Sequence, residues 1–228
     1  MKNMFLNRKS LVLICILLLV ALQASACSNS HKNSTPATQQ RFDDIDFWVK
    51  MFEDPKRDEW QRPQEVVKAM NLKAGNVVAD IGAGTGYFTR HIAVAVGPDG
   101  SAIGLDIELS MVKYMKEDAK KLNLSNYKAR VVRTDDPEIE TGSVDVVFLC
   151  NTYHHIENRV KYFSHVLNSL KDNGRVVVVD FYKDTDFGPP RDHKMAKETV
   201  IEEMKQAGYN LAKTHDLLEQ QYFLEFSP

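Results

Sequence analysis

Residues 77–89 read Val-Val-Ala-Asp-Ile-Gly-Ala-Gly-Thr-Gly-Tyr-Phe-Thr, which is an apolar run, an aspartate at position 80 and glycines at positions 82, 84 and 86. A helix-compatible segment continues from Tyr87 to Val96. This order of strand, tight glycine-rich turn and helix predicts the first unit of a nucleotide-binding α/β sheet. The glycines allow positive φ in the turn, and because they lack a Cβ they let a ligand lie against the backbone.

The charge of this turn indicates which ligand it holds. Residues 77–89 contain no Lys or Arg, which excludes a P-loop. The glycine spacing is G-x-G-x-G, and Tyr87 stands where the dinucleotide fingerprint has its third glycine. Asp80 would repel a pyrophosphate and favours a ligand that carries an ammonium or sulfonium cation. S-adenosylmethionine (SAM) fits, because its methionine end is cationic at both the amine and the sulfur.

A second acid follows at the expected place for an adenosine ligand. The stretch Ser101–Asp106 predicts the next strand, and Asp106 at its carboxyl end stands 20 residues after Gly86. A carboxylate there can accept hydrogen bonds from both ribose hydroxyls. NAD and SAM share this feature, so it indicates adenosine without choosing between the two cofactors.

The motif from Asp80 to Gly86, followed by Asp106, resembles the class I SAM-dependent methyltransferases, and in particular the small-molecule branch with the type 11 methyltransferase domain. The resemblance covers residues 63–180 and includes the later pair Asp135-Asp136 and a strand that begins at Val144. It implies an α/β, three-layer Rossmann-like fold in which a seven-stranded, mostly parallel sheet carries helices on both faces. It also implies direct transfer of the SAM methyl group to a small-molecule acceptor.

The resemblance also assigns a cofactor site. Asp135 or Asp136 would accept the adenine amino group, and the alternative is a solvated turn before Pro137. The predicted cofactor residues are Asp80, Gly82, Ala83, Gly84, Gly86, Asp106, Ile107, Asp135, Asp136 and Asn151.

Catalytic candidates follow the predicted strand Val144–Cys150. Tyr153 and His154 are expected to line the pocket beside the transferred methyl group, and His154 or His155 is a candidate general base. The alternative is that one histidine satisfies backbone groups. His154 and His155 are adjacent and would point to different faces, so no metal site is predicted.

Three further residues are candidates for substrate contact: Trp60, Tyr182 and His193. For Trp60 the alternative is packing of its segment onto the sheet, and for His193 it is an exposed loop position. Arg57 lies in the charged segment 54–63, where we expect it to pair with nearby acids.

Composition fits one main domain. The chain has 228 residues, 43% hydrophobic residues and a formal net charge of −2. That charge, without a long basic run, gives no support to nucleic-acid binding. Cys150 lies in an apolar run and is expected to be a buried, inert thiol.

The N-terminus predicts export. Positive charges at positions 2, 8 and 9 precede the apolar run 11–22, and Ala24-Ser25-Ala26-Cys27 follows. Residues 1–27 are therefore assigned to a signal peptide, 28–41 to a flexible linker and 42–228 to the methyltransferase domain. Lipidation of Cys27 would attach the protein to a bacterial membrane, in the periplasm or at the cell surface. Simple cleavage, an uncleaved anchoring helix and a cytoplasmic location are the alternatives.

Two other functions remain open at this point. One is an NAD-dependent oxidoreductase, which the loop spacing and Asp80 disfavour. The other is an exported, non-catalytic protein that binds an adenosine ligand on a methyltransferase fold.

The remaining elements follow from apolar periodicity. Helices are expected within 42–52 and over 63–70, 110–122, 158–170 and 196–207, and strands over 128–133, 144–150, 175–180, 210–215 and 221–226.

Overall fold

The computed structural model describes residues 44–228. Its strands are β1 Val77–Ile81, β2 Ser101–Asp106, β3 Tyr127–Val131, β4 Val144–Cys150, β5 Leu170–Phe181, β6 Asn210–His215 and β7 Gln221–Ser227. They form one seven-stranded sheet in the order β3-β2-β1-β4-β5-β7-β6. The first five strands run parallel to one another, whereas β7 runs antiparallel to both β5 and β6. The predicted α/β fold with a mostly parallel seven-stranded sheet is confirmed.

Helices cover both faces of this sheet. They are α1 Ile45–Phe52, α2 Arg57–Gln61, α3 Pro63–Ala69, α4 Tyr87–Val96, α5 Leu109–Lys121, α6 Arg159–Val166 and α7 Lys197–Gln206, with 3-10 turns at Tyr153–His155, Leu167–Ser169 and Arg191–His193. One core cluster joins α6 and α7 to one face of the sheet, and a second joins α3, α4 and α5 to the other. Alternation along β4 explains the two layers, because Val147 belongs to the first cluster and Phe148 to the second.

The register brings the polar ends of several strands to one edge. Ile81 of β1 pairs with Leu105 of β2 on one side and with Leu149 of β4 on the other. The glycine-rich turn, Asp106 and Asn151 therefore emerge side by side at the carboxyl edge of the sheet. In open α/β sheets ligands bind at this edge.

The boundary between α6 and β5 differs from the expectation. A single helix over 158–170 was predicted, but α6 ends at Val166 and Leu170 already belongs to β5, where it pairs with Val144. A register shift after Val144 accommodates the extra residues of β5. Asn173 and Gly174, predicted as the connection before the strand, lie within it, and Asn173 takes a positive φ of 63°.

The predicted signal peptide with Cys27 and the linker 28–41 lie outside the described residues. Within 44–228, no helix combines the length and the apolar character that crossing a membrane requires.

Candidate active site

Four amide N–H groups of the glycine-rich turn already donate hydrogen bonds to acceptors within the protein. Gly82 N and Ala83 N both donate to the carbonyl oxygen of Leu105, at 2.8 and 3.1 Å, and Gly86 N donates to Ala83 O at 2.9 Å. Gly84 N donates to the Asp106 carboxylate at 2.8 Å. A phosphate cradle needs free N–H groups that point at the anion. These bonds therefore count against a pyrophosphate ligand, in agreement with the missing Lys and Arg.

Asp80, the acid that precedes the turn, is buried, and its pKa is raised toward neutral pH. Asp80 is 3% exposed, and its carboxylate accepts a hydrogen bond of 2.6 Å from the Thr89 hydroxyl. The pKa of Asp80 is raised to about 7, chiefly by burial and to a smaller extent by the nearby Asp106, while the Thr89 hydrogen bond and the Arg57 charge act in the opposite direction. A buried carboxylate with a raised pKa gains from a cationic ligand, which stabilises its ionised form.

The second acid is fixed in orientation by the backbone. One oxygen of Asp106 accepts from Gly84 N and the other from Glu108 N, at 2.8 and 2.9 Å. Burial raises the pKa of Asp106, although both backbone donors act to lower it. Each carboxylate oxygen retains a lone pair. Asp106 is thus held in place with acceptor capacity left for ribose hydroxyls.

Arg57 corrects a prediction. It was expected to pair with neighbouring acids, but its guanidinium donates to the Gln61 side chain at 2.5 Å and to the Phe52 carbonyl at 2.8 Å. It also lies 3.8 Å from the centre of the Tyr87 ring. Burial lowers the pKa of Arg57, and no ion pair within the described residues offsets its charge. Sequence reasoning missed this, because a charged local segment does not reveal which of its side chains is buried.

Two features beside the turn fit a ligand. A Cβ added at Gly84 would meet only the Phe52 ring, at 3.5 Å, so the backbone there is approachable. The Thr85 hydroxyl oxygen is buried and has no hydrogen-bond partner within the described residues. Buried polar atoms are normally satisfied. An adjacent acid and arginine, an open glycine and an orphaned hydroxyl match the polar, zwitterionic methionine end of SAM.

A buried chain of polar side chains joins α2 to the sheet edge. Gln61 donates to Gln221 at 3.0 Å and to the Cys150 sulfur at 2.9 Å, and Gln221 donates to Asn151 at 2.5 Å. Burial raises the pKa of the Cys150 thiol, so it stays protonated. Asn151 holds a positive φ of 56° at the tip of β4. The chain Gln61–Gln221–Asn151 therefore fixes α2 over the end of β4.

His154 forms a pair with Asp180. Its Nδ1 lies 2.9 and 3.1 Å from the two carboxylate oxygens, and both side chains are almost fully buried. Asp180 follows the apolar run of β5, just as Asp106 ends β2. The same sequence signal, an acid at the carboxyl end of a strand, could therefore have identified Asp180 as a site residue. His155 packs on the His154 ring at 4.1 Å, and burial lowers its pKa to about 4. His193 is exposed on the 3-10 turn Arg191–His193, and its contact with a substrate stays a prediction.

Tyr153 was predicted to line the pocket, and the structure corrects this. Its side chain is 1% exposed and its ring stacks on Phe163 at 5.1 Å. Its hydroxyl donates to Glu203 at 3.0 Å, and Arg159 holds the same carboxylate at 2.7 Å. On the 3-10 turn Tyr153 faces the core while its neighbour His154 faces Asp180.

The aromatic substrate candidates lie in two different groups. Trp60 packs against Phe181 at 5.7 Å and against Phe187 at 5.1 Å, at the end of β5. Tyr182 instead packs against Tyr222 and the first core cluster. The structure therefore brings Trp60, but not Tyr182, to the Phe181 ring.

The adenine candidates lie at the exposed end of β3. The Asp135 side chain is 78% exposed and pairs with Arg133, and Asp136 accepts from the Glu138 amide. Ile107 is 40% exposed directly after Asp106. Their contact with adenine stays a prediction. Within residues 44–228, no group of His, Cys, Asp and Glu side chains could hold a metal ion.

Comparison with known proteins identifies the family. A model described as a methyltransferase domain matches residues 72–222, more than half of the chain. Phosphoethanolamine N-methyltransferase 1 of Arabidopsis thaliana is 29% identical over 154 residues, covering 68% of this chain and 28% of that protein. A ubiquinone/menaquinone biosynthesis C-methyltransferase of Pseudomonas savastanoi pv. phaseolicola is 29% identical over 130 residues, covering 55% of this chain and 49% of its own. The chain thus spans less than half the length of these relatives.

Solved structures agree on the fold. A SAM-dependent methyltransferase from Aquifex aeolicus matches with a TM-score of 0.75 at 24% identity, covering 80% of this chain and 97% of that one. A type 11 methyltransferase from Sulfolobus solfataricus, described as putative, matches with a TM-score of 0.54 at 22% identity, covering 66% and 82%. Together with the sequence match and the fitting site, these findings show that the chain belongs to the SAM-dependent methyltransferase family and that its cofactor is SAM.

Proposed function

We propose that this protein transfers a methyl group from SAM to a small-molecule acceptor, and that His154 receives the proton that the acceptor loses. The observation that carries the proposal is the buried pair of His154 and Asp180 at the same sheet edge as the cofactor residues. SAM supplies a methyl group already activated by its sulfonium sulfur. The protein's task is therefore alignment, exclusion of water and removal of one proton.

The cofactor end of the site supports this proposal by its charge. The methionine end of SAM carries an ammonium and a carboxylate. Asp80 is buried and Arg57 is half-buried, and the positive charge of Arg57 acts to lower the pKa of Asp80. We assign Asp80 to the ammonium and Arg57 to the carboxylate, with Asp106 holding the ribose.

The hydrogen bonds at the acceptor end also support the proposal, because they indicate which nitrogen of His154 can accept a proton. A neutral His154 that donates its Nδ1 proton to Asp180 keeps Nε2 as a proton acceptor. Asp180 also accepts from the amide of Phe181 at 2.8 Å, which fixes the carboxylate. This arrangement suits an acceptor with an ionisable O–H, N–H, S–H or acidic C–H group. The names of the matched relatives, a phosphoethanolamine N-methyltransferase and a quinone-biosynthesis C-methyltransferase, both point to small-molecule acceptors.

The experiment separates binding from turnover. We would titrate the full chain calorimetrically with S-adenosylhomocysteine, SAM and NAD, and repeat the titration with Asp106→Ala and His154→Gln. The proposal expects saturable binding of the two adenosyl ligands, lost affinity in Asp106→Ala and intact affinity in His154→Gln, which loses methyl transfer in an acceptor screen. Absence of adenosyl-ligand binding would refute it, and binding without any turnover of a broad acceptor set would favour a non-catalytic binding protein.

The cellular location is a separate proposal that rests on sequence alone. Residues 1–27 have the charged start, apolar run and small-residue site of an export signal, and lipidation of Cys27 would anchor the protein through the tether 28–41. Membrane fractionation in a bacterial host tests it. A membrane-bound form whose processing is blocked by globomycin supports lipidation, and an unprocessed cytosolic chain contradicts export.

A further inference from the structure

The loop between β5 and α7 lines a polar cavity, partly open to solvent, that the cofactor site does not use. The cavity has a volume of about 280 Å³ and is lined by residues 183–186, 188–191 and 194. It begins two residues after Phe181, the ring that Trp60 and Phe187 contact. The cavity therefore lies next to the aromatic group at the end of β5.

Lys194 is the unusual member of this lining. It is only 4% exposed, and its ammonium group donates to the Thr185 carbonyl oxygen at 2.6 Å. Within residues 44–228 no carboxylate lies at ion-pair distance from it, although Asp184 and Asp186 line the same cavity. Lysines are almost never this deeply buried unless they are paired. The Thr185 carbonyl accepts a hydrogen bond from one of the three ammonium N–H groups, and it does not neutralise the positive charge.

The surroundings of Lys194 hold it in a fixed place. Its ammonium lies 6.0 Å from the centre of the Phe181 ring, within the range of a cation–π contact. Gly188 also lines the cavity, and a Cβ added there would lie 2.7 Å from the Phe181 ring, so the loop packs directly on that ring. Two more cations in the lining, Lys183 and Arg191, are exposed. The cavity lining thus carries one buried positive charge and two exposed ones.

We infer that this cavity binds a compact oxyanion, a carboxylate or a phosphate, through Lys194. The Lys194 ammonium forms no ion pair within residues 44–228, and the anion supplies the missing negative charge. The cavity is separate from the His154–Asp180 pair, because Asp180 and Phe181 are consecutive residues of β5 and their side chains leave opposite faces of the strand.

The test uses the full chain labelled with ¹⁵N and follows amide signals during titration with sodium acetate or inorganic phosphate, with chloride keeping the ionic strength constant. We expect saturable shifts confined to residues 183–194 with at least one of the two anions. The anion with the higher affinity identifies the group that the cavity prefers as carboxylate or phosphate. Wild-type spectra without saturable shifts there, or with the same shifts when chloride alone is varied, would overturn the inference whatever the variants do.

Variants sharpen the assignment to one side chain. Lys194→Met should weaken anion binding at least tenfold, whereas Lys194→Arg should keep it within about threefold. Lys197→Met is the matched control. It removes the same charge, but Lys197 lies three residues further along the chain and its side chain is partly exposed. Equal weakening in Lys194→Met and Lys197→Met would show a general charge effect and defeat the inference.

Titration of the same sample with S-adenosylhomocysteine separates this inference from the proposed function. Shifts at residues 82–86 without any anion response leave methyl transfer intact and remove the oxyanion pocket. An anion response without shifts at residues 82–86 keeps the pocket and removes the methyltransferase.

Discussion

The imidazole of His154 meets the carboxylate of Asp180 at 2.9 Å, 26 residues further along the chain and on the neighbouring strand end. Both side chains are buried, at 7% and 1% exposure. Because the carboxylate accepts from Nδ1, it selects the tautomer that leaves Nε2 free as a base. In the proposed mechanism, Asp180 therefore positions His154, and its substitution tests that role.

Asp180→Asn should lower kcat about 10- to 100-fold without changing the affinity for S-adenosylhomocysteine. The new amide can donate to Nδ1, and the proton then sits on Nε2, which no longer accepts one. The deficit should shrink as pH rises toward the acceptor's own pKa, since an ionised acceptor needs no base. Kinetics over a range of pH measure this. Asp172→Asn, at an exposed position near the start of β5, is the control for loss of one charge, and equal kcat values in both variants would contradict the role of Asp180.

Affinity for SAM should rise with pH as Asp80 ionises. Its pKa of about 7 in the free protein means that below neutrality the ligand's ammonium meets a protonated acid, so binding must release a proton. The dissociation constant should fall by up to tenfold per pH unit below about pH 7 and level off above it. Calorimetry in buffers with different ionisation enthalpies counts the released proton.

The same group sets a trend in stability. Since the folded-state pKa of Asp80 lies above its unfolded value, the folded protein binds more protons, and its free energy of unfolding falls as pH rises from about 4 to about 7. In Asp80→Asn both pH dependences should weaken. A wild-type affinity that is flat between pH 6 and 8 would mean that Asp80 does not meet the ammonium.

The fold could be predicted because its signals are local. The turn after β1, the acid at the end of β2 and the apolar run of β4 each depend on neighbouring residues, and the order of such units fixes the sheet. The start of β5 could not be predicted in this way. Its early start at Leu170 depends on pairing with Val144, whereas the residues around Leu170 follow a helical pattern.

The acceptor side of the site was harder to predict for the same reason. Tyr153 and His154 are adjacent on one turn, but their side chains have different surroundings. Tyr153 packs on Phe163 and His154 contacts Asp180, and both partners are distant in sequence. Arg57 likewise sits among charges in sequence but among Gln61, Tyr87 and a carbonyl in space. Sequence reports the charge of a side chain and does not report its burial.

Tyr153→Phe should cost stability and leave catalysis unchanged. The lost hydroxyl donates to Glu203 at 3.0 Å, and removing such a bond typically lowers the free energy of unfolding by about 0.5–1.5 kcal/mol. Urea unfolding measures it, with Tyr209→Phe as the matched control, because that hydroxyl donates to the Phe163 carbonyl at 3.0 Å far from the site. If kcat instead falls tenfold while stability holds, Tyr153 contacts the acceptor after all.

Arg57→Met should weaken S-adenosylhomocysteine binding about 10- to 100-fold, the loss expected for one charge-assisted hydrogen bond of about 1.5–3 kcal/mol. Methionine keeps an apolar side chain beside the Tyr87 ring and removes the guanidinium, with its charge and its hydrogen bonds to Gln61 and to the Phe52 carbonyl. Methylthioadenosine lacks both the amine and the carboxylate of the full ligand, so its affinity should stay the same in the variant. Arg62→Met, at an exposed arginine paired with Glu65, controls for net charge. If methylthioadenosine binding falls as much as that of the full ligand, Arg57 supports the shape of the site and does not meet the carboxylate.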